Sequence, residues 1–312
     1  MRYLEWLYGM FAVYEEKSIQ EAYDFATDNQ IRVEGSLAGM LYYRVLLLCE
    51  LNKKETALEL FKEAVVKHEC WYPKSALLNA SIVKTFGEDD SFEGLVKMCE
   101  SREATYRYNG KPTIKIFEPK KQYLNNPKLL IALHGDQQEI EAVHDYWNPE
   151  QFFNHVVAIP EASELAFTDG HTWSDVNRGI IELTKHYQDL TRKYGFTKKD
   201  ITICAFSSGT NVAFEALIKG AIEVDNLIVV GPPLSKLEEL KDNLKIFKEQ
   251  EISTYILCGE QDTRFLPVAK SFAKQLNEIE ANCKLHISKN TNHEYPEDFE
   301  VVLKDIKGFL KL

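Results

Sequence analysis

The sequence predicts an α/β chain in which a doubly wound, mostly parallel sheet follows a smaller all-α domain. Three observations carry that expectation. From Leu4 to about Arg107, apolar residues recur at three- and four-residue steps, the period of helices with one buried face. Beyond the turn-forming stretch Tyr108-Asn-Gly-Lys-Pro the period changes, and short β-rich runs alternate with helical segments. One of those runs, Leu129-Leu-Ile-Ala-Leu, is apolar throughout, as burial on both faces of a sheet requires. The boundary falls at 110, giving a helical domain over 1–110 and an α/β domain over 111–312.

In the helical part, Leu46 and Cys49 and then Ala57, Leu60, Phe61, Ala64 and Val65 mark buried helix faces. Trp6 and Leu41 stand 35 residues apart, as do Ala22 and Ala57, close to the ~34-residue period of helix–turn–helix repeats. Ala57, Phe61 and Ala64 give the small–large–small spacing of nested helices. This stretch resembles a tetratricopeptide repeat, with Val45 where that family has Gly or Ala. The resemblance makes these helices a candidate surface for a protein partner or for self-association. The plain alternative is a bundle that only packs on its neighbour. Pro73 interrupts one helix, and Gly87-Glu-Asp-Asp-Ser reads as the loop before another, with Ser91 its expected N-cap.

In the second part, strands are expected at Thr113–Phe117, Lys128–Leu133, His155–Ile159, Asp200–Phe206, Leu227–Val230, Thr254–Cys258 and Lys284–Ile287. Helices are expected over Trp173–Tyr194, Gly209–Lys219, Lys236–Phe247 and Leu266–Glu278. Ligands of such folds bind beyond the carboxyl ends of the strands.

Composition narrows the function. The 312 residues hold 37 Lys+Arg against 48 Asp+Glu, a net charge of −11, and neither part carries a basic tail. A chain of that charge repels phosphate backbones, so nucleic acid is not an expected partner. No run reaches the ~18 apolar residues of a membrane span. None of the six cysteines forms a CxxC pair or a zinc-finger spacing with His. They read as reduced structural thiols, in keeping with a cytoplasmic protein.

The strand ends carry the chemistry. Ile201-Thr-Ile-Cys-Ala runs into Ala205-Phe-Ser207-Ser208-Gly209 and a helix. This is a Gly-x-Ser-x-Gly nucleophile elbow with Ala at the first position. Small residues flank Ser207 by two because the turn is too tight for larger side chains, and the following helix aims its amides at a developing anion. Ser208 lacks small residues at those offsets. After Thr254–Cys258 comes Gly259-Glu-Gln-Asp262, with Asp262 the expected acid that orients an imidazole and Glu260 the alternative. After the last strand, His293 lies in a polar loop suited to proton transfer, whereas His286 lies within the strand. Leu133-His134-Gly135-Asp136 follows the strand Lys128–Leu133. An oxyanion needs two backbone donors: Ser208 supplies one, and Asp136 or its neighbour Gln137 the other. His134 is expected to shape the loop.

The chain order Ser207, Asp262, His293 is that of the α/β-hydrolase triad. With Leu133-His-Gly, Ala205-Phe-Ser-Ser-Gly, Gly259-Glu-Gln-Asp and Asn292-His-Glu, residues 112–312 resemble an α/β-hydrolase of the carboxylesterase/phospholipase and dienelactone-hydrolase type. Ala205 and the Asp136-Gln-Gln loop depart from the glycine-richer family pattern. The resemblance implies a serine hydrolase of carboxylic esters with Ser207, His293 and Asp262 as triad, Ser208 and Asp136 as oxyanion donors, and no metal or organic cofactor. Trp173, Phe167 and His171, on the loop after His155–Ile159, and Phe265 with Leu266 after the acid, are expected to line an acyl pocket. Packing on the sheet rim is the alternative for these aromatics. Gly231-Pro-Pro-Leu leaves no room for a large cap, which points to a small-molecule ester of modest size. A serine peptidase on the same residues, or a non-catalytic module whose helical arm binds a protein, are the rival readings.

Overall fold

The computed structural model describes residues 1, 3–33, 35–87, 89–123 and 126–312; Glu88, in the expected capping loop, lies outside them, as does the side chain of Leu4. The chain divides into two compact units, residues 1–111 with 163–171, and residues 112–162 with 172–312.

The larger unit is built on a seven-stranded sheet. Its strands are β1 (Thr113–Phe117), β2 (Lys128–Leu133), β3 (His155–Glu161), β6 (Ile201–Phe206), β7 (Asn226–Val230), β8 (Ser253–Gly259) and β9 (Cys283–Ser288), while β4 (Leu165–Phe167) and β5 (Gly170–His171) form a separate ribbon. The spatial order is β1-β3-β2-β6-β7-β8-β9. Only β1 runs antiparallel, against β3; the other neighbours are parallel. Burial on both faces explains the continuous apolar strands, because successive side chains point to opposite sides. Leu129, Ile131 and Leu133 enter one core with Ile201, Ile203 and Ala205, beneath the helices Val176–Tyr194, Gly209–Ile218 and Leu266–Glu278. Leu130 and Ala132 enter the opposite core with Cys204, Phe206 and the closing helix Phe299–Leu310.

Three helical expectations change, the first being that Pro73 precedes the short helix Lys74–Leu77 as its N-cap and does not interrupt a helix. Lys236–Phe247 is not one helix but a 3₁₀ turn at Lys241–Asn243 and a short helix Lys245–Glu249. Asp242 and Asn243 favour local turns over continued helix, yet Leu237, Leu244 and Phe247 still reach the core. The N-cap of the helix Asp90–Tyr106 is Asp89, whose side chain accepts from the amides of Ser91 and Phe92, rather than Ser91.

The smaller unit is helical. Tyr3–Glu16 pairs with Ile19–Asn29 and Leu37–Glu50 with Lys54–Lys62. The positions 35 residues apart, Trp6 and Leu41 and the two alanines Ala22 and Ala57, are all buried. The segment 163–171, placed by the sequence reading in the α/β part, belongs to this unit. Phe167 packs beside Tyr72 in its core. Asp169 accepts from Ser36 Oγ at 2.6 Å and from the Ala38 amide at 3.1 Å, at the start of Leu37–Glu50.

Candidate active site

Ser207 leaves β6 with φ +46, in the left-handed region that a tight strand-to-helix turn imposes. Its amide donates to Val230 O at 2.9 Å, tying the turn to β7. Two residues on, a Cβ at Gly209 would stand 2.5 Å from His134 O. The small residue is therefore required by the backbone of the loop after β2, which passes directly beneath. Ala205 is buried in the sheet core and carries its methyl there.

The turn after β8 and the loop after β9 are laced together. The Glu260 amide donates to Ser288 O at 2.8 Å and the Gln261 amide to Thr291 O at 2.9 Å. That lacing brings Asp262 Oδ2 to 2.7 Å from His293 Nδ1, and His293 Nε2 to 2.8 Å from Ser207 Oγ. An ionised carboxylate only accepts, so the imidazole proton sits on Nδ1 and Nε2 accepts from the serine hydroxyl. Asp262 is buried, which alone would raise its pKa. The hydrogen bond and charge of His293, with further donors from the Phe265 amide and the Cys258 thiol, outweigh burial and hold it below the ordinary value. The Cys258 thiol, 3.8 Å from Asp262 Oδ2, is pushed up to about 12 by burial and by that carboxylate. Glu260, the alternative acid, is exposed.

His293 lies between two aromatic rings. Phe206 is 5.2 Å away by ring centroids and Phe265 is 4.7 Å away. On a further side comes Gly231, with φ +53, where a Cβ would meet the imidazole at 2.8 Å. Neither Phe206 nor Gly231 is expected from the sequence to stand against the histidine; Gly231 enters there only as the start of the short Gly231-Pro-Pro-Leu connection. Their signal was position: Phe206 immediately precedes the serine, and Gly231 immediately follows β7.

The loop after β2 is braced rather than loose. His134 is fully buried; its Nε2 accepts from the Ala162 amide at 3.0 Å, and its ring stacks on Trp173. Gln138 Oε1 accepts from the Gly135 amide at 2.7 Å, and Asp136 Oδ1 accepts from Thr172 Oγ1 at 2.6 Å. Among the described residues, none accepts a hydrogen bond from the amides of Asp136 or Ser208. Gln137 takes φ +60, which turns the chain at this point. Gln138 and Thr172 were missed by the sequence reading.

The expected pocket residues separate. Phe265 stands against His293. Trp173 is buried, with its indole N–H donating to His134 O at 3.0 Å, so it braces the loop instead of lining an open surface. Phe167 lies in the core of the helical unit, and His171 pairs with Leu165 in the β4–β5 ribbon. Leu266 packs on the sheet core. An apolar residue beyond a strand reads the same whether it turns to a pocket or to another core, and here a second core takes Phe167. Among the described residues, no group of acidic, His or Cys side chains is arranged to hold a metal, and no helix is long and apolar enough to cross a membrane.

Comparison with known proteins places this geometry in a wider setting. Residues 2–107 match the family model described as the A/B hydrolase-like N-terminal domain. No curated protein matches the chain. Among solved structures, an uncharacterized protein from Bacillus cereus ATCC 10987 is 27% identical over 100% of both chains, with a TM-score of 0.57. Esterase PE8 is 15% identical over 64% of this chain and 99% of its own, with a TM-score of 0.52. Acyl-protein thioesterase 2 of Zea mays is 13% identical over 64% and 100%, with a TM-score of 0.50. At the last two identities the likeness is one of fold. The match at residues 2–107 is to a description that does not mention tetratricopeptide repeats. Residues 2–107 are thus similar to an A/B hydrolase-like N-terminal domain, and the sheet that follows has a fold similar to that of esterase PE8.

Proposed function

We propose that the α/β part of the chain, residues 111–312, is a serine hydrolase that cleaves carboxylic esters of modest size. The observation that carries this reading is the continuous hydrogen-bonded chain from Ser207 Oγ through His293 to Asp262. Each member comes from a different strand end.

In this mechanism His293 Nε2 removes the Ser207 proton as Oγ attacks the acyl carbonyl, and Asp262 stabilises the imidazolium that forms. The amides of Ser208 and Asp136, unclaimed by any described residue, hold the oxyanion. His293 then passes its proton to the departing alcohol. Water enters and attacks the acyl carbon while losing a proton to the same nitrogen, and His293 returns that proton to Ser207 Oγ as the acyl–oxygen bond breaks and the acid leaves. Between β7 and β8 the chain forms only two short helical turns, which supports an uncapped site and a substrate of modest size.

Turnover of a p-nitrophenyl ester series of increasing acyl length tests the reading. Ser207→Ala and His293→Ala are each expected to lower kcat about 10⁴-fold or more, while Ser208→Ala, which keeps its amide, retains most of it. Full turnover in Ser207→Ala rejects the assignment. Faster cleavage of a matched peptide than of any ester favours the peptidase alternative.

A further inference from the structure

The loop that offers the Asp136 amide is gripped by the two ends of one excursion of the chain. At the departing end the Ala162 amide donates to His134 Nε2 at 3.0 Å. At the returning end Thr172 Oγ1 donates to Asp136 Oδ1 at 2.6 Å, and Trp173 Nε1 donates to His134 O at 3.0 Å. The nine residues in between, 163–171, belong to the helical unit. There Phe167 is buried, Thr168 Oγ1 accepts from the Trp71 amide at 2.6 Å, and Arg107 pairs with Glu164 at 3.1 Å. Asp169 receives both Ser36 Oγ and the Ala38 amide at the head of Leu37–Glu50.

Asp169 and Thr172 are three residues apart, a link that spans at most ~10 Å. A short link fixed at both ends transmits displacement, because it has little slack to absorb it. Asp136 itself is exposed and Gln137 beside it holds a left-handed backbone, so this stretch draws its order from side-chain anchors. Thr172 is the anchor that touches Asp136.

We infer that Thr172 is a positioning residue for the Asp136 amide, and that Asp169 acts on the same amide through the link between them. The inference rests on the serine-hydrolase reading, in which that amide meets the oxyanion. A donor there contributes chiefly in the transition state, so its displacement lowers kcat and leaves KM nearly unchanged.

The test is ester kinetics on the full chain. Thr172→Val is expected to lower kcat about tenfold with KM within about twofold, and Thr172→Ser to restore it. Asp169→Ala is expected to lower kcat about threefold, again with KM steady. The double variant should be no slower than Thr172→Val alone, because both act through one contact. If Asp169→Ala does not fold, Ser36→Ala and Asp169→Asn each remove part of the same anchor and are expected to give smaller losses of kcat. Unchanged kcat in Thr172→Val overturns the inference. So does wild-type kcat in the folded Asp169 and Ser36 variants, or a double variant whose loss is the product of the single losses. Turnover that survives Ser207→Ala strikes the underlying reading instead, and is distinct from turnover that needs Ser207 but ignores Thr172.

Discussion

At Gly231 two requirements meet in one residue. Its φ of +53 is costly for any side chain, and a Cβ there would stand 2.8 Å from His293 Cε1 and 2.9 Å from Nδ1. In Gly231→Ala the imidazole must shift by a few tenths of an ångström or more, away from Ser207, Asp262 or both. The expected result is a kcat about 100-fold lower on a p-nitrophenyl ester, since small misplacements of a catalytic group cost that much. A kcat within twofold of wild type would show that the ring has room to spare. Ser207, Asp262 and His293, which hydrogen bonds join, were legible as candidates because each follows its own strand within a few residues. Gly231 was not, because its constraint comes from a loop 62 positions later in the chain, and adjacency in sequence says nothing of that approach.

Among the elements, β3 begins with a buried histidine. His155 Nδ1 lies 2.8 Å from Asn154 Oδ1, and burial, reinforced by the charges of Lys128 and Lys307, brings its pKa from 6.5 down to about 4. In the folded protein it is therefore neutral where the unfolded chain has already taken up a proton. The sign follows: its contribution to stability is intact above pH 6.5 and is lost as pH falls from there to about 4. Two to three pH units of such linkage amount to about 3 kcal/mol. Denaturant unfolding of wild type at a series of pH values should reveal this loss, and His155→Gln should flatten the slope. An unchanged slope in that variant would assign the acid sensitivity to other groups. The seven sheet strands were legible to within two residues at each end; in the five inner strands burial on both faces leaves a largely apolar signature, while the edge strands β1 and β9 are mixed and partly exposed. Helix ends were less so. Asp89 and Ser91 are both good N-caps, and a Lys54 ammonium 2.9 Å from Asp89, invisible to local pattern, accompanies the choice of Asp89.

For the molecule as a whole, the mostly parallel sheet flanked by helices followed from alternation of strand and helix, whereas the spatial order of its strands was not read from the sequence. Nor was the excursion 163–171. Its apolar residues signal burial without saying in which core: Phe167 packs beside Tyr72, while Asp169 and Glu164 meet Ser36 and Arg107 of the helical unit. The helical part was legible as helical, and its paired alanines as buried, because helical period and small-residue spacing are local properties. The account's central claim is that distant stretches of chain converge to make Ser207 a nucleophile. A fluorophosphonate, which reacts with activated serines, tests this most directly when followed by peptide mapping of the adduct. One adduct per chain on Ser207, absent from Ser207→Ala and much slowed in His293→Ala, is the predicted result. An unlabelled wild-type chain, or an adduct carried by Ser208, would contradict it.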